Sequence, residues 1–356
     1  MKKLICCLAA PLLLCSGCGL WSAYTPLEAV ETVETLGVDA DGGTRVSVTT
    51  GADEDAERID ETGETLSIAL DRLRDRSLHG GLFYGHTQYL LLGESYARAG
   101  VQALLDYAAR SAELRLSTPV YVLRGTAADA VLSEELDVTA QLTALSRTGL
   151  PAGTALDTAD RLAQAGCALL GAVTYDETAQ TLRPAGCAVL RRGRLIGYLD
   201  EDGATTAAWR SGEESAPIAP EAGATFSVHR CALRLSADWD GGAPTAVTLH
   251  ADVEAIADQL SDGLRITDDD VRAQLETALA DAAAQRIASA LRQTQTLRVD
   301  ALDLGGMLAA RYPLRWRSCA PGWETRYPTL PITVEVTAHI TGTQDLNDPL
   351  PEEGDA

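Results

Sequence analysis

The chain has 356 residues, of which 46% are hydrophobic, and a formal net charge of −22 at pH 7. This length predicts two or three domains with ample chain for hydrophobic cores. The strong negative charge excludes nucleic acid as a partner, because the phosphate backbone would be repelled.

The first 20 residues have the pattern of an export signal. Two lysines precede an apolar run of about a dozen residues, and small residues follow that run. Ser16 and Gly17 stand directly before Cys18 and resemble the lipobox of bacterial lipoproteins, in which the cysteine receives a diacylglyceryl thioether and becomes the new N-terminus. We therefore predict a lipoprotein signal peptide over residues 1–17 and a lipid anchor on Cys18.

Two alternatives remain open for this segment. A transmembrane helix needs about 20 apolar residues, and the run from Leu4 to Gly17 is shorter than that. An ordinary signal peptide cut nearby would leave Cys18 as a plain thiol. Cys15 favours this second alternative, because a lipobox usually carries an aliphatic residue at that position.

The first third of the chain predicts a hairpin followed by a βαβ unit. Apolar residues alternate on both sides of the turn 39–43 and predict two antiparallel strands, whereas the acidic stretch 51–64 predicts a solvated loop. Leucines at helical spacing in 66–73 predict an amphipathic helix. The short apolar runs 89–92 and 119–123 flank another such helix and predict buried parallel strands with a right-handed crossover.

The middle of the chain predicts helical pieces and further strands. Residues 127–165 are rich in Ala, Leu and Thr, and residues 169–199 return to strand patterns around the turn 191–194. We interpret the arginines of that turn as solvated residues in preference to a basic binding patch. The glutamates, prolines and glycines of 211–223 predict a linker.

The C-terminal part predicts an α+β domain. Residues 231–237 and 247–253 alternate and predict an antiparallel hairpin. The longest helix begins at the aspartates 268–270, which suit helix capping better than cation binding. A last alternating strand over 332–340 has one apolar face, and we expect a helix to cover it.

These patterns predict the α/β fold class, with an α+β C-terminal part. We expect several small mixed sheets, each packed with helices, in two or three domains. The predicted units are an N-terminal α/β region over residues 18–210 with a possible division near 127–153, the linker 211–223, the C-terminal domain 224–345 and an acidic tail 346–356.

The mature body contains four scattered cysteines, Cys167, Cys187, Cys231 and Cys319. They lack the paired close spacing of a zinc site, so we predict no structural metal. Each cysteine suits a buried apolar position, but an exported protein can also form disulfides, and the spacing does not give their connectivity.

No pattern in the chain indicates a catalytic site. The histidines, at 79, 86, 229, 250 and 339, form no H-E-x-x-H motif, and the sequence contains no G-x-S-x-G, Walker loop or G-x-G-x-x-G after a strand. Asp39 and Asp41 suit turn chemistry better than metal binding. Trp316 and Trp323 are interpreted either as a binding ledge or as the lid of a core. We predict a non-enzymatic protein without a cofactor.

Several short patterns of the chain occur together in one known family. They include the hairpin end 36–39 and the pair Gly85 and His86 before the strand 89–92. The others are Gly93, Glu94, Ala97, Arg98 and Gly100, then Gly186, Ala188, Val189, Gly193, Leu195, Gly197 and Leu199, then Asp300, Leu304, Gly305, Pro313, Trp316 and Trp323. Together they resemble the Ger(x)C family, the C-subunit lipoproteins of spore germinant receptors.

The resemblance implies a lipoprotein at the outer face of the inner spore membrane. There it would work beside an A subunit and a transporter-like B subunit in sensing the nutrients that trigger germination. The resemblance also implies three α/β domains and no catalytic residues. We therefore predict a lipid-anchored receptor subunit whose partners are the A and B subunits and the membrane.

Two other functions remain as alternatives. A solute-binding lipoprotein would deliver a small molecule to a transporter, and genes for an ATP-driven permease beside its own would favour it. An exported hydrolase would turn over a substrate and lose that activity on changing His86 to Ala.

Overall fold

A computed structural model describes residues 31–50, 57–76, 81–111, 113–132, 136–151, 153–213, 217–220, 223–261 and 264–343. The predicted signal peptide 1–17, Cys18, His79 and the acidic tail 346–356 lie outside the described residues. Within them the chain forms one sheet of nine strands, one sheet of three strands, and helices that pack on both.

The large sheet takes its strands from the first part of the chain. They are β1 (Glu31–Ala40), β2 (Thr44–Thr50), β3 (Glu57–Gly63), β4 (Leu82–Phe83), β5 (Tyr89–Gly93), β6 (Val120–Leu123), β7 (Cys167–Asp176), β8 (Thr181–Arg191) and β9 (Arg194–Leu199). Their order in the sheet is β3, β2, β1, β5, β6, β7, β8, β9, and β4 pairs with β1.

The small sheet takes its strands from the second part. They are β10 (Ala224–Asp240), β11 (Ala243–Leu260) and β12 (Ile332–Thr343). β10 and β11 form the predicted antiparallel hairpin, and β12 adds to β11 in parallel.

The helices connect these strands in both halves. They are α1 (Leu66–Arg76), α2 (Glu94–Ala99), α3 (Gln102–Arg110), α4 (Ala128–Val131), α5 (Val138–Ser146), α6 (Ala155–Ala165), α7 (Glu201–Ser211), α8 (Asp269–Thr296), α9 (Leu304–Arg311), α10 (Pro313–Cys319) and α11 (Trp323–Arg326). No described helix combines the length and the apolar character needed to cross a membrane.

Parallel pairing sets the direction of the large sheet. β1, β5, β6 and β7 run parallel to their neighbours, and antiparallel strands flank them on both sides. The predicted parallel pairing of the βαβ unit is therefore confirmed, and every residue of β5 and β6 is buried, as expected. The starts of the four parallel strands, Glu31, Tyr89, Val120 and Cys167, lie at one end of the sheet, which we call the N-terminal edge.

The fold class is confirmed, but two details differ from the expectation. The strands of the first part join into one large sheet instead of several small ones, because Tyr121 of β6 pairs with Gly171 of β7 and links the βαβ unit to the strands that follow. The prediction of a loop over 51–64 is wrong for residues 57–63, which form β3. This edge strand needs little apolar surface, because it pairs with β2 and buries Ile59 opposite Val48.

Alternating side chains give the large sheet an apolar core on each face. Leu90 and Leu92 of β5 belong to the core under α1 and α3, whereas Leu91 belongs to the core under α4 and α5. On the β7–β9 part of that second face, the sheet packs against α7 and the second half of the chain. This shared core includes Cys187, Val189, Leu199, Trp209, Phe226, Leu279 and Tyr327.

The small sheet is covered by α8, as the sequence predicts. Asp268 accepts hydrogen bonds from the backbone N–H groups of Asp270 and Val271, which confirms its role as a helix cap. Leu275, Leu279, Ala283 and Ile287 of α8 are buried against the apolar face. The domain division at 211–223 stays a prediction. Within this segment Ile218 is buried, and its backbone N–H and C=O groups both form hydrogen bonds with the backbone of Phe226.

Candidate functional site

A cleft of about 440 Å³ lies where the second half of the chain meets the N-terminal edge of the large sheet. The end of α6, the start of β7 and the end of β8 form one wall. The connection from α8 to α9, together with α10 and α11, forms the other. Four residues that carry the family resemblance line the cleft, namely Asp300, Gly305, Trp316 and Trp323.

Asp300 is the polar centre of the second wall. One carboxylate oxygen accepts a hydrogen bond from Leu304 N at 2.9 Å, and the other accepts from Gly305 N at 2.6 Å and Trp323 Nε1 at 2.9 Å. Burial raises the pKa of this carboxyl, and the three N–H donors oppose the rise. Asp300 thereby satisfies the first turn of α9, whose N–H groups have no partner within the helix, and joins that turn to Trp323.

The two tryptophans pack against each other above Asp300. Their ring centroids are 5.3 Å apart at an angle of 70°, and Trp323 also contacts Tyr327 at 5.6 Å. An alanine Cβ at Gly305 would lie 2.8 Å from an atom of each tryptophan, so only glycine leaves room for both rings. Trp323 is buried in the shared core, which favours the lid interpretation, while the partly exposed Trp316 lines the cleft.

Ion pairs join the two walls of the cleft. Asp303 accepts from Arg161 of α6 at 3.0 Å and from Arg210 of α7 at 3.2 Å, and Glu324 of α11 pairs with Arg191 of β8 at 2.9 Å. Each partly exposed pair contributes about 1 kcal/mol or less, so their main effect is to orient α9 and α11.

The sequence does not predict these ion pairs. Its pattern favours Arg191 as a solvated turn residue, whereas the carboxylate that pairs with Arg191 lies 133 positions further along the chain. Asp303 has a left-handed backbone with φ of 65°, which no sequence pattern signals.

A second buried carboxylate, that of Asp39, also caps the start of a helix. It is 2% exposed and accepts from Ala128 N at 2.8 Å and Asp129 N at 2.9 Å, at the start of α4. Burial raises its pKa, against the effect of these two hydrogen bonds. The expectation that turn chemistry accounts for Asp39 is therefore wrong, because its carboxylate accepts from the start of α4 and not from the turn. Asp41 does lie in the turn, where it pairs with Arg45 at 3.1 Å.

The four cysteines of the body are free thiols. Cys167, Cys187 and Cys319 are buried and Cys231 is partly buried, which fits the small apolar role that the sequence predicts for them. Cys167 lies in the cleft, and its Sγ donates to the Asp300 carbonyl at 3.4 Å. Burial raises the pKa of Cys167 to about 11 and those of Cys187 and Cys231 to about 12.

These raised pKa values predict slow thiol alkylation. Because burial raises the pKa of Cys167 from the ordinary thiol value of 9.0 to about 11, its thiolate fraction at pH 8 falls about a hundredfold. We expect iodoacetamide to modify Cys167, Cys187 and Cys231 at least that much more slowly in the native chain than in guanidinium chloride. Mass spectrometry of timed samples measures the rates, and equal rates in both conditions would contradict the burial of these thiols.

The described histidines do not converge on one site. His86 is exposed beside the ring of Phe83, at a centroid distance of 5.4 Å, while His250 pairs with Glu335 at 3.1 Å on the small sheet. Over the described ranges, no three His, Cys, Asp or Glu residues are grouped so that they could hold a metal ion. The predicted lipidation site, Cys18, lies outside the described residues.

Comparisons with known proteins cover both halves of the chain. A family model described as "Spore germination protein N-terminal domain" matches residues 23–147, and one described as "Spore germination B3/ GerAC like, C-terminal" matches residues 185–344. Spore germination protein KC of Bacillus subtilis (strain 168) is 26% identical over 105 residues, which cover 29% of this chain and 26% of that protein. The match thus spans about a quarter of that relative's length.

A solved structure shares the fold. The crystal structure of the GerBC protein matches with a TM-score of 0.58 at 16% identity, over 86% of this chain and 97% of that chain. Fold and family models together define a mixed α/β protein of the spore germination class. The chain belongs to the Ger(x)C family, the C subunits of germinant receptors.

Proposed function

We propose that the chain is the non-enzymatic C subunit of a nutrient germinant receptor and assembles with integral-membrane A and B subunits. The observation that carries the proposal is the match of two consecutive spore germination models, one to each half of the chain. The cleft supports a non-catalytic role, because the Asp300 carboxylate already accepts three protein hydrogen bonds that position α9 and Trp323.

A lipid on Cys18 would hold this subunit at the outer face of the inner spore membrane. The order Ser16, Gly17, Cys18 supports this part of the proposal. The first described strand begins at Glu31, and the 12 residues between Cys18 and Glu31 let the chain span at most about 45 Å when extended. The anchor would therefore keep the start of β1, at the N-terminal edge of the large sheet, within about 45 Å of the bilayer.

Replacing Cys18 by Ala tests the proposal in a host strain that lacks the chromosomal gene. We expect the variant to leave the membrane fraction after a high-salt wash and nutrient germination to fall to the level of the deletion strain. Immunoblots of the fractions, mass spectrometry of the N-terminal peptide and the loss of spore optical density on nutrient addition measure these effects.

Cys7→Ala is the matched control, because it makes the same exchange within the export segment but away from the proposed lipidation site. Its membrane retention and germination should equal those of the unsubstituted gene. Retention of Cys18→Ala after the wash, without A and B subunits present and with the signal peptide removed according to the N-terminal mass spectrum, would contradict lipid anchoring. Unchanged germination in a deletion strain without paralogues would contradict the receptor role.

A further inference from the structure

We infer that the surface around α10 docks on the anionic lipid headgroups of a bilayer. This α10 surface consists of Arg311, Leu314, Arg315, Trp316 and Arg317. It combines cationic side chains with exposed apolar ones, the composition of segments that lie in a membrane interface. The inference rests on the proposed lipid anchor, which would bring this part of the molecule to the bilayer.

The cationic character of the α10 surface contrasts with the rest of the chain. The protein carries a net charge of −22, yet Arg311, Arg315 and Arg317 are exposed within seven residues. Among the described residues, no carboxylate forms an ion pair with any of the three. Arg311 lies 5.7 Å from the ring of Tyr312, and Arg315 lies 5.4 Å from the ring of Trp239. Their charges are thus available to an external anion.

The same surface exposes apolar side chains. Leu314 is 78% exposed, which is the highest value among the exposed large hydrophobic residues of the described chain. Trp316, two residues further along α10, is partly exposed, and its ring packs edge-on against the ring of Trp323. Arginines beside an exposed leucine and a tryptophan suit the headgroup region, where charges meet phosphates and apolar groups reach the acyl chains.

Strand topology places the α10 surface at the end of the molecule where the anchor would attach. α11 follows α10 closely, and its Glu324 pairs with Arg191, which lies opposite Cys167 at the start of β7. β7 is three strands away from β1 in the sheet, a lateral distance of about 14 Å, and both begin at the N-terminal edge. The 12 residues between Cys18 and Glu31 reach far enough for the lipid and the α10 surface to contact one bilayer.

The overall negative charge does not oppose this docking at close range. Salt at physiological strength screens charges beyond about 8 Å, so the arginines at the contact dominate over distant carboxylates. Each Arg near an anionic surface strengthens binding about fivefold. The arginines alone would also suit an acidic protein, but Leu314 and the lipid anchor at the same edge favour the bilayer.

Vesicle binding tests the inference without the lipid anchor. The processed chain from residue 18, carrying Cys18→Ala, is mixed with vesicles of phosphatidylglycerol and phosphatidylcholine or of phosphatidylcholine alone, and bound protein is measured by flotation. We expect binding to the anionic vesicles that weakens with salt. Arg315→Gln combined with Arg317→Gln should weaken it about 25-fold, and Leu314→Ser should weaken it several-fold.

Arg98→Gln combined with Arg183→Gln is the matched control. These exposed arginines lie near the opposite end of the large sheet, so their loss should leave binding unchanged. Circular dichroism and thermal unfolding confirm that each variant is folded. Three results would each overturn the inference. The first is equal binding to both vesicle types, and the second is an equal effect of the two arginine pairs on binding. The third is binding of the α10 surface only to membranes that contain A and B subunits.

The same experiment separates this inference from the proposed function. Vesicle binding uses a chain without the lipid, so it does not depend on modification of Cys18. Absent vesicle binding together with germination that requires Cys18 would overturn the docking surface alone. Normal vesicle binding by a protein whose deletion leaves germination unchanged would support the surface and overturn the receptor role.

Discussion

Replacing Gly93 by Ala is expected to destabilise the protein by about 4 kcal/mol. The added Cβ would lie 1.7 Å from Oδ1 of Asp39, an overlap that small movements cannot relieve. The Asp39 carboxylate would have to leave its place, and the backbone N–H groups of Ala128 and Asp129 would lose their partner in a buried environment. Urea unfolding followed by far-UV circular dichroism measures the loss.

A double-mutant cycle separates this overlap from other effects of the substitution. Gly93 has φ of −62°, which alanine adopts without strain, so the cost comes from space alone. In an Asp39→Ala background the overlap disappears, and Gly93→Ala should then cost less than about 1 kcal/mol. A cost equal to that in the unsubstituted protein would show that Asp39 does not occupy this space. Gly42→Ala, in an open turn with φ of 64°, is the control for backbone strain alone.

The sequence predicts the elements whose signal is local. The uninterrupted apolar run 89–92 indicates a strand buried on both faces, and β5 has every residue buried. The helix that begins after Asp268 has its cap and its apolar stripe within one stretch of sequence. β3 was not predicted, because an edge strand with one buried isoleucine has nearly the composition of a solvated loop.

The roles of the carboxylates depend on distant parts of the chain and are therefore not predictable from local pattern. Asp39 follows the end of a predicted strand and precedes a glycine-rich turn, so turn chemistry is the natural interpretation. Its partners lie 89 and 90 positions away, at the start of a helix with no sequence cap of its own. Family resemblance does mark Asp300, Gly305 and Trp323 as a set, but only the fold shows that they contact one another.

The cleft itself depends on contacts between the two halves. Arg161, Arg191 and Arg210 precede the predicted linker 211–223, whereas Asp303 and Glu324 follow it. Their pairing follows from the packing of β7–β9 on the core of the second half, a contact between surfaces that neither half predicts alone. Charge patterns on separate elements do not indicate which residues meet.

Replacing Asp300 by Ala is expected to destabilise the second half by about 3 to 5 kcal/mol. Three donors, Leu304 N, Gly305 N and Trp323 Nε1, would lose their acceptor, and each unsatisfied buried donor costs about 1 to 3 kcal/mol. Asp300→Asn should lower the stability less, because the asparagine amide oxygen can still accept hydrogen bonds from Gly305 N and Trp323 Nε1. The NH₂ group would then face the N–H of Leu304.

Asp268→Ala provides the matched comparison for this effect. Asp268 also caps a helix, but its hydrogen bonds to Asp270 and Val271 are exposed, so water replaces them and the loss should be about 1 kcal/mol. The urea midpoints of unfolding, followed by tryptophan emission, measure the difference in stability between the two variants. Trp323 lies beside Asp300 and contributes to this emission. Equal losses for Asp300→Ala and Asp268→Ala would mean that the Asp300 site is open to water. The three hydrogen bonds would then no longer account for the close packing of Gly305 against the two tryptophans.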